Sequence, residues 1–343
     1  MFDASRRPNI LPPTYGAHRR AAENAEKPSE KPLRPPRLCG EPVTPEAEVV
    51  RTNSLEAALR ERVLVADGAM GTMLYAAGLP AGTPPELWNR DNPAAVRAVH
   101  AAYVQAGADV ILTNTVGGSR IALLRHGLAA QSPTLCRLAA EIAREVAGDS
   151  AHVFGSMGML GELLQPLGLL SFEEALNVYA EQAAALAAGG ADAILLETQS
   201  DVEEVRAGIR GAHQACTLPV IATFSFGHNR HTMMGAGAAE VAALLPEGLL
   251  AIGANCGRSL EDTLAVITEL HALLPGVHLM AKPNAGIPSL GPDGKTHFDV
   301  GAEGMAAFMP RFLAQGARIV GGCCGSTPEH IRAISGQLSA ISR

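Results

Sequence analysis

Long apolar runs are missing from this sequence, and so is any excess of positive charge. No run reaches the ~18–20 residues that a membrane-spanning helix needs, and the N-terminus lacks the apolar segment of a secretory signal. Across 343 residues, 27 Lys and Arg face 34 Asp and Glu, a formal net charge of -7 without a basic stripe in the regular part. We therefore expect neither a membrane nor a nucleic acid as partner, and we expect a cytoplasmic protein.

Cysteine is scarce as well. Six cysteines in 343 residues are too few for a disulfide scaffold, so the thiols are expected to be reduced and available for metal binding or catalysis. A glycine-rich loop of the G-x-G-x-x-G type is also missing after the first apolar run, where the sequence reads DGAMGT. Its absence argues against a doubly wound sheet that binds a dinucleotide.

Residues 1–53 differ in composition from the rest of the chain. They are rich in proline and charge and show little apolar periodicity, which predicts an irregular N-terminal extension. The extension could be a solvated arm, or it could pack on the folded domain or on a neighbouring subunit, which leaves room for a homodimer. Acidic residues and prolines among the arginines argue against a targeting peptide. Residues 54–343 are regular and predict a single domain.

Eight short apolar runs alternate with helical patterns in this domain. The runs are continuous, which indicates strands buried on both faces of a parallel sheet. Two of the helices are predicted to begin at Ser171, with Glu174 completing a capping box, and at Ser259. Eight alternating strands and helices are typical of a (β/α)8 TIM barrel, with a doubly wound open sheet as the alternative. The predicted strands cover residues 63–68, 110–115, 152–158, 193–198, 219–226, 251–256, 278–285 and 317–324.

The carboxyl ends of the strands are where a (β/α)8 barrel places its functional residues. Here nearly every predicted strand ends in a residue with a polar or thiol side chain. The site is therefore predicted to draw on Asp67, Thr113–Thr115, Ser156, Glu197, Ser225, Asn255–Cys256, Asn284 and Cys323–Cys324.

Three of these residues are cysteines. Cys256 ends the sixth predicted strand, and Cys323 and Cys324 end the eighth, so their thiols are expected to meet at the barrel mouth. Three thiolates favour Zn²⁺ and leave the fourth tetrahedral position open for an exchangeable ligand. A redox-active vicinal disulfide, or three cysteines that only pack near one another, are the alternatives.

The stretches VADGAMGTML, GANCG and GGCCGSTPEHI resemble the motifs of the zinc-dependent homocysteine S-methyltransferase family. The resemblance covers residues 60–335 and implies a (β/α)8 barrel whose zinc is held by Cys256, Cys323 and Cys324. Within the family, the stretch KPNAG resembles the homocysteine-binding module of cobalamin-dependent methionine synthase. The stretches TMMG and GELLQPLG resemble bacterial members of the betaine–homocysteine S-methyltransferase type and corrinoid-linked members.

The resemblance also implies roles for the other strand ends. Glu197 and Asp67 match the positions at which carboxylates of the family bind the ammonium group of homocysteine. Backbone N–H groups from Gly68 to Gly71 would bind its carboxylate, and Asn284 resembles a labile oxygen ligand that fills the zinc site before the substrate arrives. The predicted substrate-binding set is completed by three further polar strand ends, Asn114, Ser156 and Asn255.

The chemistry expected at such a site begins with the substrate thiol. A free alkyl thiol with a pKa near ~8.5 is only a few per cent thiolate at neutral pH, and the thiolate is the nucleophile. Zn²⁺ deprotonates a thiol that it binds. We therefore expect the substrate thiolate to attack a methyl group in line, with no catalytic side chain beyond this metal-activated thiolate.

The methyl donor is left open by the sequence. Methylcobalamin would need a corrinoid domain that residues 54–343 do not contain, so it is expected on a separate protein, and betaine or S-methylmethionine are the alternatives. The chain departs from the family at Val116, where an aromatic residue is usual, and at Met159, where a proline is usual. Both positions are expected at the barrel mouth. A zinc methyltransferase for a different thiol, or a non-enzymatic thiol or metal sensor, are the alternative functions.

Overall fold

The computed structural model of the protein describes residues 55–227, 229–291 and 296–341. The extension predicted over residues 1–53 lies outside the described residues, and its boundary with the domain stays a prediction. Helices and strands alternate along the described part of the chain.

Eight parallel strands form one sheet that closes on itself. These strands are β1 (Leu64–Val65), β2 (Val110–Leu112), β3 (His152–Met157), β4 (Ala193–Gln199), β5 (Val220–Phe224), β6 (Leu249–Cys256), β7 (His278–Pro283) and β10 (Ala317–Val320). Their order is β1-β10-β7-β6-β5-β4-β3-β2. Ala66 bridges Val110, and Asp109 N–H donates to Val65 O at 2.7 Å, so the two edge strands meet. The (β/α)8 prediction is confirmed, with all eight strands inside or overlapping their predicted ranges.

A short antiparallel hairpin interrupts the alternation after β7. Its strands are β8 (Pro288–Leu290) and β9 (Thr296–Phe298), and among the described residues they pair only with each other. The hairpin precedes the last βα unit, so it lies in the loop that follows the carboxyl end of β7. It is an addition to the regular barrel pattern that the sequence analysis did not predict.

The helices begin where polar side chains accept their free N–H groups. Ser171 Oγ accepts from Glu174 N–H and Ser259 Oγ accepts from Asp262 N–H, each at 3.1 Å, so both predicted helix starts are confirmed. No helix among the described residues is long and apolar enough to cross a membrane. The helices are α1 (55–61), α2 (Gly71–Ala76), α3 (Trp88–Asp91), α4 (Pro93–Gln105), α5 (Arg120–Leu124), α6 (Ser132–Ala147), α7 (Phe172–Ala188), α8 (Val202–Ala215), α9 (Ala238–Ala242), α10 (Leu260–Leu273), α11 (Ala302–Ala314) and α12 (Pro328–Ile341).

Two apolar clusters stabilise the barrel. One lies between the sheet and the surrounding helices, and the other fills the barrel interior with side chains such as Phe154 and Met280. Leu55 and Leu59 of α1 are fully buried in the interior cluster, where each contributes roughly 1.5–3 kcal/mol. Because α1 precedes β1, these side chains pack at the amino end of the barrel, and the polar strand ends are left at the other.

Replacing Gly253 by Ala is expected to destabilise the barrel by roughly 1–3 kcal/mol. The added Cβ would lie 1.9 Å from the carbonyl oxygen of Met280 on the neighbouring strand β7, and a backbone atom can move away only if β6 and β7 separate. The free energy of unfolding in urea measures the effect. An unchanged midpoint would contradict the strand spacing.

The matched control is Gly336→Ala in α12. Among the described residues, no atom outside the helix's own local backbone lies within 4 Å of the Cβ added there. Alanine is also the better helix former by about 1 kcal/mol, so the control should be as stable as the unmutated chain or more stable.

Candidate functional site

Three thiols converge at the carboxyl end of the barrel. Cys256 is the last residue of β6, and Cys323 and Cys324 follow β10. β7 lies between these strands, and Cys323 N–H donates to Pro283 O of β7 at 2.8 Å. The Sγ atom of Cys256 lies 2.9 Å from that of Cys323 and 4.0 Å from that of Cys324. The structure thus brings together the three cysteines that the sequence analysis proposed as ligands.

Left-handed backbone conformations at and beside the cysteines turn the chain so that the three thiols lie close together. Cys256 has a φ of 55°, a conformation that costs a non-glycine residue about 1–3 kcal/mol and that is common at functional sites. Gly257 follows with a φ of 73°, and Gly325 after the vicinal pair has a φ of 79°. A Cβ on Gly325 would lie 2.2 Å from the Phe298 ring. Glycine is therefore required beside the cysteine pair both for its backbone angle and for space.

The geometry and charges of the thiol cluster suit a divalent cation. Tetrahedral Zn–S bonds of about 2.3 Å would separate the sulfurs by roughly 3.8 Å, and the two observed spacings bracket this value. Hydrogen bonds from Cys256 and Cys323 lower the pKa of Cys324 to about 3, whereas hydrogen bonds to Cys323 and Cys324 raise the pKa of Cys256. A bound cation would allow all three thiols to ionise.

Asn255 lies behind the thiols and does not border the cavity that opens from them to the surface. Its Nδ2 donates to Thr198 Oγ1 at 2.6 Å and lies 3.7 Å from the sulfurs of Cys256 and Cys323. Its Oδ1 accepts from Thr198 N–H at 3.0 Å. This placement differs from the predicted substrate contact, because both ends of the amide are used to hold the thiol cluster and the end of β4.

Asn284 joins the two segments that carry the cysteines. Its Nδ2 donates to Gly257 O at 2.8 Å, and its Oδ1 accepts from Cys324 N–H at 3.0 Å. The oxygen proposed as a labile fourth metal ligand is therefore bonded to the backbone of a cysteine. Asn284 keeps the segments after β6 and β10 at a fixed separation.

A cavity of about 820 Å³ opens from the thiols to the surface, a volume within the usual range for small-molecule sites. Gly68 borders it, and an added Cβ there would lie 2.7 Å from Tyr103 Oη. Val116 and Met159 also border it, and Val116 is 44% exposed. The two departures from the family pattern thus lie at the mouth of the cavity.

Glu197 presents a buried carboxylate to this cavity. It lies near the end of β4 and is 7% exposed. Ser156 Oγ donates to Glu197 Oε2 at 2.6 Å. Ser156 is fully buried and does not border the cavity, so it orients Glu197 where the sequence analysis predicted a direct substrate contact. Burial raises the pKa of Glu197 to about 7, which makes this carboxyl a suitable partner for an incoming cation.

Asp67 borders the same cavity but is paired inside the protein. Its Oδ1 accepts from Lys282 Nζ at 2.8 Å, and its Oδ2 accepts from Leu112 N–H at 2.8 Å. The side chains of Asp67 and Lys282 are each 2% exposed. Burial raises the pKa of Asp67, and the charge of Lys282 acts in the opposite direction.

Lys282 is a site residue that the sequence analysis missed. The signal for it was present, because this lysine stands in the apolar run HLMAKP of a strand that is buried on both faces. A buried lysine requires an acidic partner. The partner could not be named without the fold, since Asp67 is 215 positions away in the chain.

Two further buried groups hold the cavity wall formed by residues 82–86. Asn114 Nδ2 donates to Pro85 O at 2.8 Å and to Asn89 Oδ1 at 2.9 Å. Its side chain is thereby bound within the protein and does not border the cavity, which differs from its predicted role. Glu86, which the sequence analysis did not single out, accepts from Gly117 N–H at 2.6 Å and ties this wall to the segment of Val116.

Fold and site together define a (β/α)8-barrel enzyme with three convergent thiols beside a small-molecule cavity at the carboxyl ends of its strands. Residues 64–338 match the family model described as Homocysteine S-methyltransferase, and the chain belongs to this family. The family and the methyltransferase class predicted from the motifs are thereby confirmed.

Known relatives and a solved structure agree with this assignment. The methionine synthase of Mycobacterium tuberculosis is 35% identical over 308 residues, and that of Mycobacterium leprae is 34% identical over 304 residues. The matches cover 83% and 82% of this chain but 25% of each relative, so the chain spans about a quarter of their length. The metallated homocysteine methyltransferase MmuM from Escherichia coli is 28% identical with a TM-score of 0.70, and the match covers 83% of this chain and 100% of that chain.

Glu197→Gln is expected to change how stability depends on pH. The pKa of this carboxyl is 4.5 when unperturbed, and burial raises it to about 7 in the fold. The folded state therefore holds the proton more tightly, and stability falls as pH rises through this interval. Relative to the unmutated chain, the variant should gain up to roughly 3 kcal/mol between about pH 5 and about pH 8. Urea unfolding of the reduced, chelator-treated protein measures this gain.

Glu61→Gln is the control for this measurement. Glu61 is exposed at the end of α1, so its variant should follow the unmutated chain at every pH. A stability difference for Glu197→Gln that stays constant between about pH 5 and about pH 8 would contradict the raised pKa.

Proposed function

We propose that this chain transfers a methyl group to the thiol of homocysteine and forms methionine, with Zn²⁺ held by Cys256, Cys323 and Cys324. The observation that carries the proposal is the convergence of these three thiols beside a cavity that also exposes a buried carboxylate. When bound, Zn²⁺ supplies Lewis acidity that keeps a coordinated thiol deprotonated at neutral pH. Membership of the homocysteine S-methyltransferase family supports the acceptor.

The protein's own residues set the charge on the reacting sulfur. Three cysteinates and one divalent cation sum to a net charge of −1, so the acceptor sulfur would remain electron-rich and reactive. The amide of Asn255, 3.7 Å from two of the sulfurs, donates weakly to them and holds their positions. Because Asn284 fixes Cys324 through its backbone N–H, the cluster is prepared before the acceptor binds.

The remaining groups orient the acceptor. Glu197 lies beside the cavity and would bind the ammonium group, while backbone N–H groups near Gly68 would bind the carboxylate. Holding both ends of the amino acid directs its sulfur toward the cysteines and leaves the mouth of the cavity for the methyl donor. In the transfer, the bond from sulfur to methyl carbon forms as the bond from that carbon to the donor breaks.

The methyl donor is a separate part of the proposal. Val116 and Met159 line the mouth, where the donor has to approach, so these departures from the family pattern bear on the donor. Methylcobalamin on a separate corrinoid protein, betaine and S-methylmethionine remain the candidate donors. We place the protein in the cytoplasm because Cys256, Cys323 and Cys324 are free thiols, and a reducing compartment keeps them so.

Cys256→Ser and Cys323→Ser are expected to lose zinc binding. Each variant removes one of three thiolates from the centre, so bound zinc should fall from about one equivalent per chain to near none. Both cysteines lie outside the two apolar clusters, so the barrel should remain folded. Metal analysis of protein prepared under reducing conditions and circular dichroism check the two expectations.

Cys216→Ser is the matched control for these variants. Its thiol donates to Ala212 O at 3.5 Å, away from the cluster, and a serine hydroxyl can keep that bond. Zinc binding should therefore be unchanged. Retention of stoichiometric zinc by both cluster variants would overturn the ligand assignment.

Zinc-loaded, reduced protein is expected to form methionine from homocysteine with one of the candidate donors. Methylcobalamin, glycine betaine and S-methylmethionine are supplied separately, and methionine is quantified by mass spectrometry. Turnover with one donor identifies the reaction, with Cys323→Ser as the inactive control. Absence of turnover with every donor, despite stoichiometric zinc, would point to a different thiol or to a missing corrinoid partner.

A further inference from the structure

A resident ammonium group lies in the acceptor site. Lys282 Nζ is 2.8 Å from Asp67 Oδ1, and both side chains are 2% exposed. The other oxygen of Asp67 accepts from Leu112 N–H at 2.8 Å. Each oxygen of Asp67 thus has a partner supplied by the protein, and its negative charge is offset by the lysine.

Among the described residues, Glu197, unlike Asp67, has a protein partner at only one of its two oxygens. Its Oε2 accepts from the neutral hydroxyl of Ser156 at 2.6 Å. Within residues 55–227, 229–291 and 296–341, Glu197 forms no ion pair, and no hydrogen bond reaches its Oε1. Of the two strand-end carboxylates at the cavity, Asp67 and Glu197, Glu197 is therefore the one with an oxygen left for a ligand.

The two carboxylates should differ in their response to an amino group. An ammonium placed against Asp67 would lie within a few ångströms of the buried Lys282 Nζ, and like charges at that distance repel. An ammonium placed against Glu197 meets a carboxylate that feels the charge of Lys282 only at a distance and forms no direct ion pair among the described residues. It also stabilises the ionised form of a carboxyl that burial otherwise keeps partly protonated near neutral pH.

We propose that Lys282 is a specificity-determining, positioning residue that commits Asp67 to an internal ion pair and leaves Glu197 alone to bind the amino group of the acceptor. This inference rests on the proposed function, since it concerns the amino-acid end of the thiol acceptor. Asp67 then supports the barrel end through Lys282 and Leu112, and the amino group is recognised by one carboxylate.

The test compares two thiols by equilibrium binding, so no methyl donor is needed. Homocysteine and 4-sulfanylbutanoate, which lacks only the amino group, are titrated calorimetrically into the zinc-loaded protein. The unmutated chain should prefer homocysteine by about 10- to 100-fold, the range expected for one hydrogen bond between charged groups. Glu197→Gln should reduce this preference to near none.

The variant that decides the proposal is the double substitution Asp67→Asn with Lys282→Met. It removes a charged pair together, so no buried charge is left without a partner. The preference for homocysteine over 4-sulfanylbutanoate should be retained. The single variant Lys282→Met leaves Asp67 unpaired and should bind both thiols more weakly, and the second substitution should restore that binding.

Loss of the preference in the folded double variant, to the extent seen in Glu197→Gln, would overturn the proposal, because Asp67 would then bind the amino group directly.

Ser156→Ala is an independent variant in case the double variant does not fold. It removes the hydrogen bond that orients Glu197, so the preference should fall several-fold; an unchanged preference would also overturn the proposal. Failure of the proposed function would look different, since the unmutated, zinc-loaded chain would then bind neither thiol.

Discussion

The balance of charge at the carboxyl end of the barrel is the constraint on which the site depends. Three thiols and the carboxyls of Asp67 and Glu197 converge there, and Lys282 supplies a buried positive charge. The result is a shortage of cations around carboxyls that are themselves buried. Burial raises the pKa of Glu197, and hydrogen bonds from Cys256 and Cys323 lower the pKa of Cys324. The ligands that suit the site bring positive charge, as a metal ion at the thiols and an ammonium group at Glu197.

Amide and hydroxyl side chains behind the charged groups keep them in place. Asn284 joins the segments after β6 and β10, Asn255 joins the thiols to the end of β4, and Ser156 orients Glu197. These bonds connect strands that are neighbours or near neighbours in the barrel. The geometry of the site is therefore a property of the closed sheet, since each reactive group is held by a residue from another strand.

Much of the fold and part of the site could be predicted. Continuous apolar runs reveal strands buried on both faces, and serines at helix starts such as Ser171 reveal their boundaries. The polar residues at the carboxyl ends of the predicted strands indicated where the functional groups lie. Individual roles were harder to predict, because a polar strand end can face the cavity or support a neighbour. Asn114 and Ser156 differ from their predicted roles for this reason, since their partners Asn89 and Glu197 come from other segments.

The sequence by itself determined the barrel, the three cysteines at two strand ends and the glycines that allow the chain to turn beside them. These features follow from local patterns, namely burial periodicity, adjacent thiols and backbone freedom. Only the tertiary structure decided which carboxylate is free, because Asp67 and Lys282 are 215 positions apart and meet only when β10 lies between β1 and β7. Pairing of charges depends on distance in space, and closure of the barrel sets that distance.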